Sequence, residues 1–201
     1  MADRFENVRA DIAAAAVWHE APLIRRHLNK TALRIAVCIG SHALQAVLLY
    51  RLQAWLRQRH IPVLPTFCRR LSVIIAQVEI GDSVRIGPGL HINHGHVVID
   101  GPVTIGPQCS ISPFVTIGLD TGGWIEEQTF GAPRIGRFAF IGTGAKILGP
   151  ITIGDNVRVG ANAVVLCDVP DNCTAVGVPA RIIQRETAFG PPPGSRSPDR
   201  A

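Results

Sequence analysis

Three histidines crowd one short run of this 201-residue chain, His91, His94 and His96 of HINHGHVVI. Two chemistries suit such a run. A zinc site needs three or four His, Cys or carboxylate ligands converging tetrahedrally. His91 and His94 lie three apart on an extended or turning chain, and no histidine follows His96, so no metal site is expected. Proton transfer is the better reading, and His94 is the better residue for it. It stands beside Gly95, where a repeat described below slips register by one. Glu79 lies fifteen residues earlier, close to one coil of that repeat, so a carboxylate on the adjacent coil would fix the imidazole tautomer and leave the other ring nitrogen free. Such a pair is a general base for a hydroxyl, a contribution of about 10²–10⁴-fold. His91 and His96 read as polar residues on a solvent face.

The element that must position these residues is a six-residue beat. Ile80, Ile86, Ile92 and Val98 fall six apart, then Ile99, Ile105, Ile111 and Ile117, then Ile135, Ile141, Ile147, Ile153, Val159 and Val165. Small or apolar residues follow four places later, among them Val84, Leu90, Cys109, Val115, Ala139 and Val157. A short fixed period of this kind marks a parallel β-helix wound around a triangular prism. Each inward aliphatic contributes roughly 1.5–3 kcal/mol, and coils stabilise one another as nearest neighbours. Residues 80–170 make about four or five coils. The beat breaks at 91–99 and again at 119–134, a polar, glycine-containing loop that carries Trp124. Loops ejected from such a scaffold often carry function.

Composition bounds the remainder. The chain is 47% hydrophobic with few aromatics, and its five cysteines form no CxxC pair. That pattern suits reduced thiols and a cytoplasmic protein; Cys109 falls on a core position. Residues 1–70 hold 11 basic and 4 acidic residues, a net +7, whereas the remainder holds 9 and 11, a net −2. The N-terminus is acidic and polar, unlike a signal peptide. Helices are expected over 5–17, 20–30 and 32–59, the last ended by Pro62 and Pro65, with 66–77 leading into the first coil. The apolar stretch 35–50 is interrupted by Ser41, His42 and Gln45 and falls short of a membrane span. A solvated basic face is the simpler reading of the N-terminal charge, and peripheral membrane contact is the other. Nucleic-acid binding has no support beyond charge. The domain reading is a helical region over 1–72, a β-helix over 73–183 capped near Val178–Ile183, and a disordered tail over 184–201.

Over residues 73–183 the chain resembles the hexapeptide-repeat acyltransferases, and within them the serine acetyltransferase family. The resemblance rests on the beat, on NHGHVVI in the place of that family's D-H-A-x-G-I-V-[VI], and on IGTGAKILGPITIGDNVRVGANAVVLCDVPDNCTAVGVPARII. It implies a left-handed β-helix, a homotrimer and an acetyl-CoA groove between subunits. It further implies His94 as catalytic base, Glu79 as the acid that orients it, and Asn93 at an acceptor-binding position where the family has aspartate. Leu119, Thr143 and Ala161 would line the pantetheine groove, with Gly118 a further coenzyme contact, and a backbone N–H near Gly118 or on a neighbouring coil would stabilise the oxyanion. Arg158 and Arg181 would lie near the coenzyme phosphates.

Two departures bear on the acceptor. The family's loop ends D-R-H-P-K-I, whereas here Phe130-Gly131-Ala132-Pro133-Arg134-Ile135 lacks that Arg and His. Asn93 lacks the charge to pair with an ammonium. Charged hydrogen bonds are worth about 1.5–3 kcal/mol each, so these losses favour a neutral hydroxyl, such as that of a sugar stacked on Trp124; with L-serine, Arg134 or backbone amides of the loop would contact the carboxylate. The expected function is acetyl-CoA-dependent O-acetylation of a small-molecule or saccharide hydroxyl. L-Serine O-acetylation in cysteine biosynthesis and a non-catalytic scaffold are the alternatives.

Overall fold

The computed structural model describes residues 2–18, 38–120 and 131–184. Its main body is a parallel β-helix of about five coils. Among the described residues fifteen short strands form three sheets: β1 (Val78–Ile80), β4 (Val97–Ile99), β7 (Thr116–Gly118), β10 (Lys146–Leu148) and β13 (Val164–Val165) in one; β2 (Arg85–Ile86), β5 (Thr104–Ile105), β8 (Arg134–Ile135) and β11 (Thr152–Ile153) in the second; β3 (His91–Ile92), β6 (Ser110–Ile111), β9 (Phe140–Ile141), β12 (Arg158–Val159), β14 (Cys173–Val176) and β15 (Arg181–Gln184) in the third, each in that order. Every pairing is parallel except the last, where β15 folds back antiparallel on β14 (Cys173–Val176) and closes the C-terminal end.

The inward positions are the aliphatic ones. Ile99, Ile111, Ile117, Ile147 and Ile153 are fully buried, as are Cys109, Val115, Ala145, Val157 and Ala163 of the second set. One residue departs from the expectation. Val98 is 40% exposed and Ile99 takes the inward place. The slip therefore occurs before β4 (Val97–Ile99), because one added residue reverses which side chains face the core.

Two corners are built from left-handed backbone. Gln77, His96, Phe114, Gly144 and Asn162 occupy equivalent positions on successive coils, all with φ between 53° and 75°. Gly89, Gln108, Phe138, Asn156 and Asn172 are equivalent at another corner, with φ between 56° and 79°. Glycine and asparagine adopt this region readily, whereas a bulky side chain there is strained.

The N-terminal helices are α1 (Ala2–Trp18), α2 (His42–Gln58) and α3 (Leu64–Ala76). The expected helix over 32–59 is interrupted at Ser41, whose hydroxyl accepts the Leu44 N–H at 3.2 Å and caps α2. The expected helix over 20–30 lies outside the described residues. The segment over 66–77 is itself helical: Pro65 lies in the first turn of α3, where its missing N–H costs nothing. Helix α2 caps the first coil through Ala43, Ala46, Val47 and Tyr50, which join the prism core. Its polar residues bind backbone there: Tyr50 Oη donates to Val84 O and Arg51 donates to Ile86 O and Gly87 O. Arg51 also meets the fully buried Asp11 of α1, and Arg57 pairs with Asp82. Part of the N-terminal positive charge is thus consumed internally. No helix among the described residues is long and apolar enough to cross a membrane.

Candidate active site

His94 owes its position to an insertion of one residue. Strands of the first coil pair with partners nineteen residues later: Val78 with Val97, Arg85 with Thr104, His91 with Ser110. At β4 the spacing drops to eighteen, Val98 pairing with Thr116; pairs that span residues 119–134 are thirty apart, as Thr104 with Arg134, and eighteen returns beyond them, as Lys146 with Val164. The turn from β3 (His91–Ile92) to β4 contains the difference. Where later coils place the single residues Pro113, Thr143 or Ala161, the first coil places two, His94 and Gly95. The added residue bows the turn outward, and His94 is exposed.

The turn is pinned at its ends. Asn93 N–H donates to Ile111 O at 3.0 Å and Val97 N–H donates to Gln77 O at 3.1 Å. Gly95 lies against Ala76 O at the end of α3, leaving no room for a Cβ. Between these anchors, no hydrogen bond or ion pair from the described residues reaches the His94 side chain. The next ring along, His96, stacks on Phe114 of the following coil with centroids 4.7 Å apart and planes at 19°.

The other predicted residues divide into groups. Thr143 and Ala161 are exposed on the same corner as His94, one above the other, joined by Asn162 N–H to Thr143 O at 2.8 Å. Arg158 and Arg181 both lie on the sheet that leads into that corner, and both are exposed. The Arg158 guanidinium lies 5.6 Å from the Phe140 ring centroid. Gly118 and Leu119 lie at the opposite edge of the β1-β4-β7-β10-β13 sheet, where the chain turns toward β8 (Arg134–Ile135). Within one chain they do not converge with His94. Arg134 is exposed on the β2-β5-β8-β11 sheet, paired with Thr104 and Thr152. Trp124 lies outside the described residues. Glu79 is exposed, and its register partner is Val98, with no hydrogen bond to His94. Asn93 is half-buried beside His94.

His91 departs from the solvent-facing reading. It is 4% exposed, because α1 and α2 pack against β3. Asp11, Arg51 and Phe114 were not singled out by sequence. The only signal for Phe114 is an aromatic residue at a turn position that the later coils give to Gly144 and Asn162. Cys109 is a core residue, its thiol pushed up to about 12 by burial.

Known proteins share this architecture. Residues 132–167 match the bacterial transferase hexapeptide (six repeats) family. The serine acetyltransferase of Synechococcus elongatus is 39% identical over 157 residues, 78% of this chain and 62% of that protein. The chain thus spans less than two thirds of that relative. The serine acetyltransferase of Helicobacter pylori is 40% identical over 148 residues, covering 73% of this chain and 82% of the relative. A solved serine acetyltransferase in complex with CoA superposes with a TM-score of 0.70 at 31% identity, over 87% of this chain and 68% of that one. With its left-handed β-helix, hexapeptide beat and this degree of identity, the chain belongs to the serine acetyltransferase family of hexapeptide-repeat acyltransferases.

Proposed function

We propose that this chain transfers an acetyl group from acetyl-CoA to a hydroxyl, with His94 as general base and L-serine as the acceptor. The observation that carries the reading is the added residue that sets His94 outward on the corner it shares with Thr143 and Ala161. The names of the relatives favour L-serine over the sugar acceptors suggested by the loop, and an acyltransferase over a scaffold.

In this mechanism the free imidazole nitrogen of His94 takes the hydroxyl proton as the oxygen attacks the thioester carbonyl. The C–O bond forms, the tetrahedral intermediate collapses, and the C–S bond breaks. The departing thiolate recovers the proton from the imidazolium. Glu79, which is exposed and not hydrogen-bonded to His94 in the free chain, would orient the ring only by swinging toward it. Thr143 and Ala161 offer a small-residue corner along which a pantetheine arm can lie, and Arg158 and Arg181 supply positive charge for the phosphates. Since Gly118 and Leu119 lie across a sheet from His94, a cleft containing both groups needs a second copy of the chain, and a homotrimer closes such a contact symmetrically. A backbone N–H near Gly118 would meet the oxyanion.

A neutral hydroxyl acceptor is the second reading, favoured by Asn93 beside His94, where a carboxylate would pair with an ammonium. An acceptor screen with labelled acetyl-CoA over amino acids and saccharides decides between them. Ordinary turnover on L-serine is expected. A strong preference for saccharides would displace L-serine, and no transfer to any hydroxyl would overturn the assignment.

A further inference from the structure

We infer that Phe114 is a positioning residue for His94, acting through the ring of His96; this rests on the reading of His94 as the base. The His94 turn is one residue longer than its counterparts, and among the described residues backbone hydrogen bonds pin it only at Asn93 and Val97. Among the described residues no hydrogen bond or ion pair holds the His94 or His96 side chain. What ties the middle of the turn to the next coil is the stack of His96 on Phe114. Both residues hold φ at +62°, where the matching corners of later coils use Gly144 and Asn162. Within one chain burial does not account for Phe114, which is 55% exposed. Its carbonyl accepts from Lys146 Nζ at 2.8 Å, and the same ammonium reaches Thr116 Oγ1 at 3.0 Å, so the platform is itself anchored one coil further on. A bulky ring kept exposed at positive φ and stacked on the turn that carries a reactive side chain fits a functional role better than a packing one.

The test uses the full-length protein and the variants Phe114→Gly, Phe114→Tyr and His96→Asn. Glycine and asparagine are the residues the fold already accepts at this corner, so backbone strain is relieved or unchanged while the stack is lost. Phe114→Gly and His96→Asn are expected to lower kcat on the order of 10- to 100-fold, with KM for acetyl-CoA unchanged and a thermal midpoint at or above the parent's. Phe114→Tyr keeps parental turnover. In NMR spectra the His94 imidazole signals sharpen toward an averaged position in the two stack-breaking variants. Parental kcat together with unchanged His94 signals in both would overturn the inference, as would a lowered thermal midpoint with unchanged kcat, which would make the ring a packing element. His94→Ala measured alongside separates the two claims. Retained turnover there removes the base assignment, while the His94 signals still decide whether Phe114 positions the ring.

Discussion

Glu79 lies across the coil from Val98, four residues past His94 in the chain. The nineteen-residue first coil adds one residue to this offset. No hydrogen bond joins the carboxylate to the imidazole, so its contribution should be smaller than that of the base. His94→Ala is expected to lower kcat by about 10²–10⁴-fold. Glu79→Gln should lower it by roughly tenfold and alter the pH–rate profile. Steady-state rates across pH check both. Equal losses would mean that the two act as a fixed pair.

The turn that carries His94 should not tolerate a side chain at Gly95. A Cβ there would strike the Ala76 carbonyl, which is backbone and cannot swing away. Gly95→Ala is expected to destabilise the protein by about 1–3 kcal/mol through overpacking and to reduce turnover by displacing His94. Denaturant unfolding and kinetics measure the two effects separately.

The Asp11–Arg51 pair is the polar joint between the helices and the first coil. Asp11 is fully buried and accepts from Arg51 Nε at 2.9 Å, Gly89 N–H at 2.8 Å and Leu90 N–H at 3.0 Å. Burial pushes its carboxyl above the ordinary range, against the pull of Arg51 and the two amides. Removing one partner of a buried pair leaves the other uncompensated, so Asp11→Ala should cost about 3–5 kcal/mol. Replacing both residues by apolar ones of similar size should cost less, a comparison that unfolding free energies make directly.

Cys109 makes the fold sensitive to alkali. Its thiol ionises near 9.0 in an unfolded chain and near 12 in the prism, because burial disfavours the thiolate. The folded state keeps the proton longer, so this group's share of stability is whole below pH 9 and is lost as pH rises toward 12, at about 1.4 kcal/mol per unit. Cys109→Ala should start less stable yet show a flatter decline between pH 9 and 11. An unchanged slope would mean that other groups set the alkaline limit.

Much of this molecule is legible in its hexapeptide beat, since each inward Ile or Val must recur where the coil recurs. The break near His94 is legible too, but its location is not: period alone cannot say whether Val98 or Ile99 faces inward, and the added residue in the Asn93–His96 turn decides for Ile99. Features that depend on distant chain segments stay hidden. Asp11 and Arg51 are forty residues apart, His91 is covered only because α1 and α2 dock on β3, and Pro65 reads equally as a helix end or a helix start. The opposed placement of His94 and Leu119 emerges only once the strands are assigned to sheets.

That opposition gives the most direct test. His94→Ala and Leu119→Trp, each expected to assemble like the parent and to be inactive alone, are unfolded together at equal concentration and refolded. If one copy supplies the base and its neighbour the facing wall, random mixing rebuilds about a quarter of the sites in a closed ring, and acetyl transfer returns to about that fraction of the parental rate. No recovery from the mixture, or full activity of His94→Ala by itself, would contradict a base on one copy facing a cleft completed by the next.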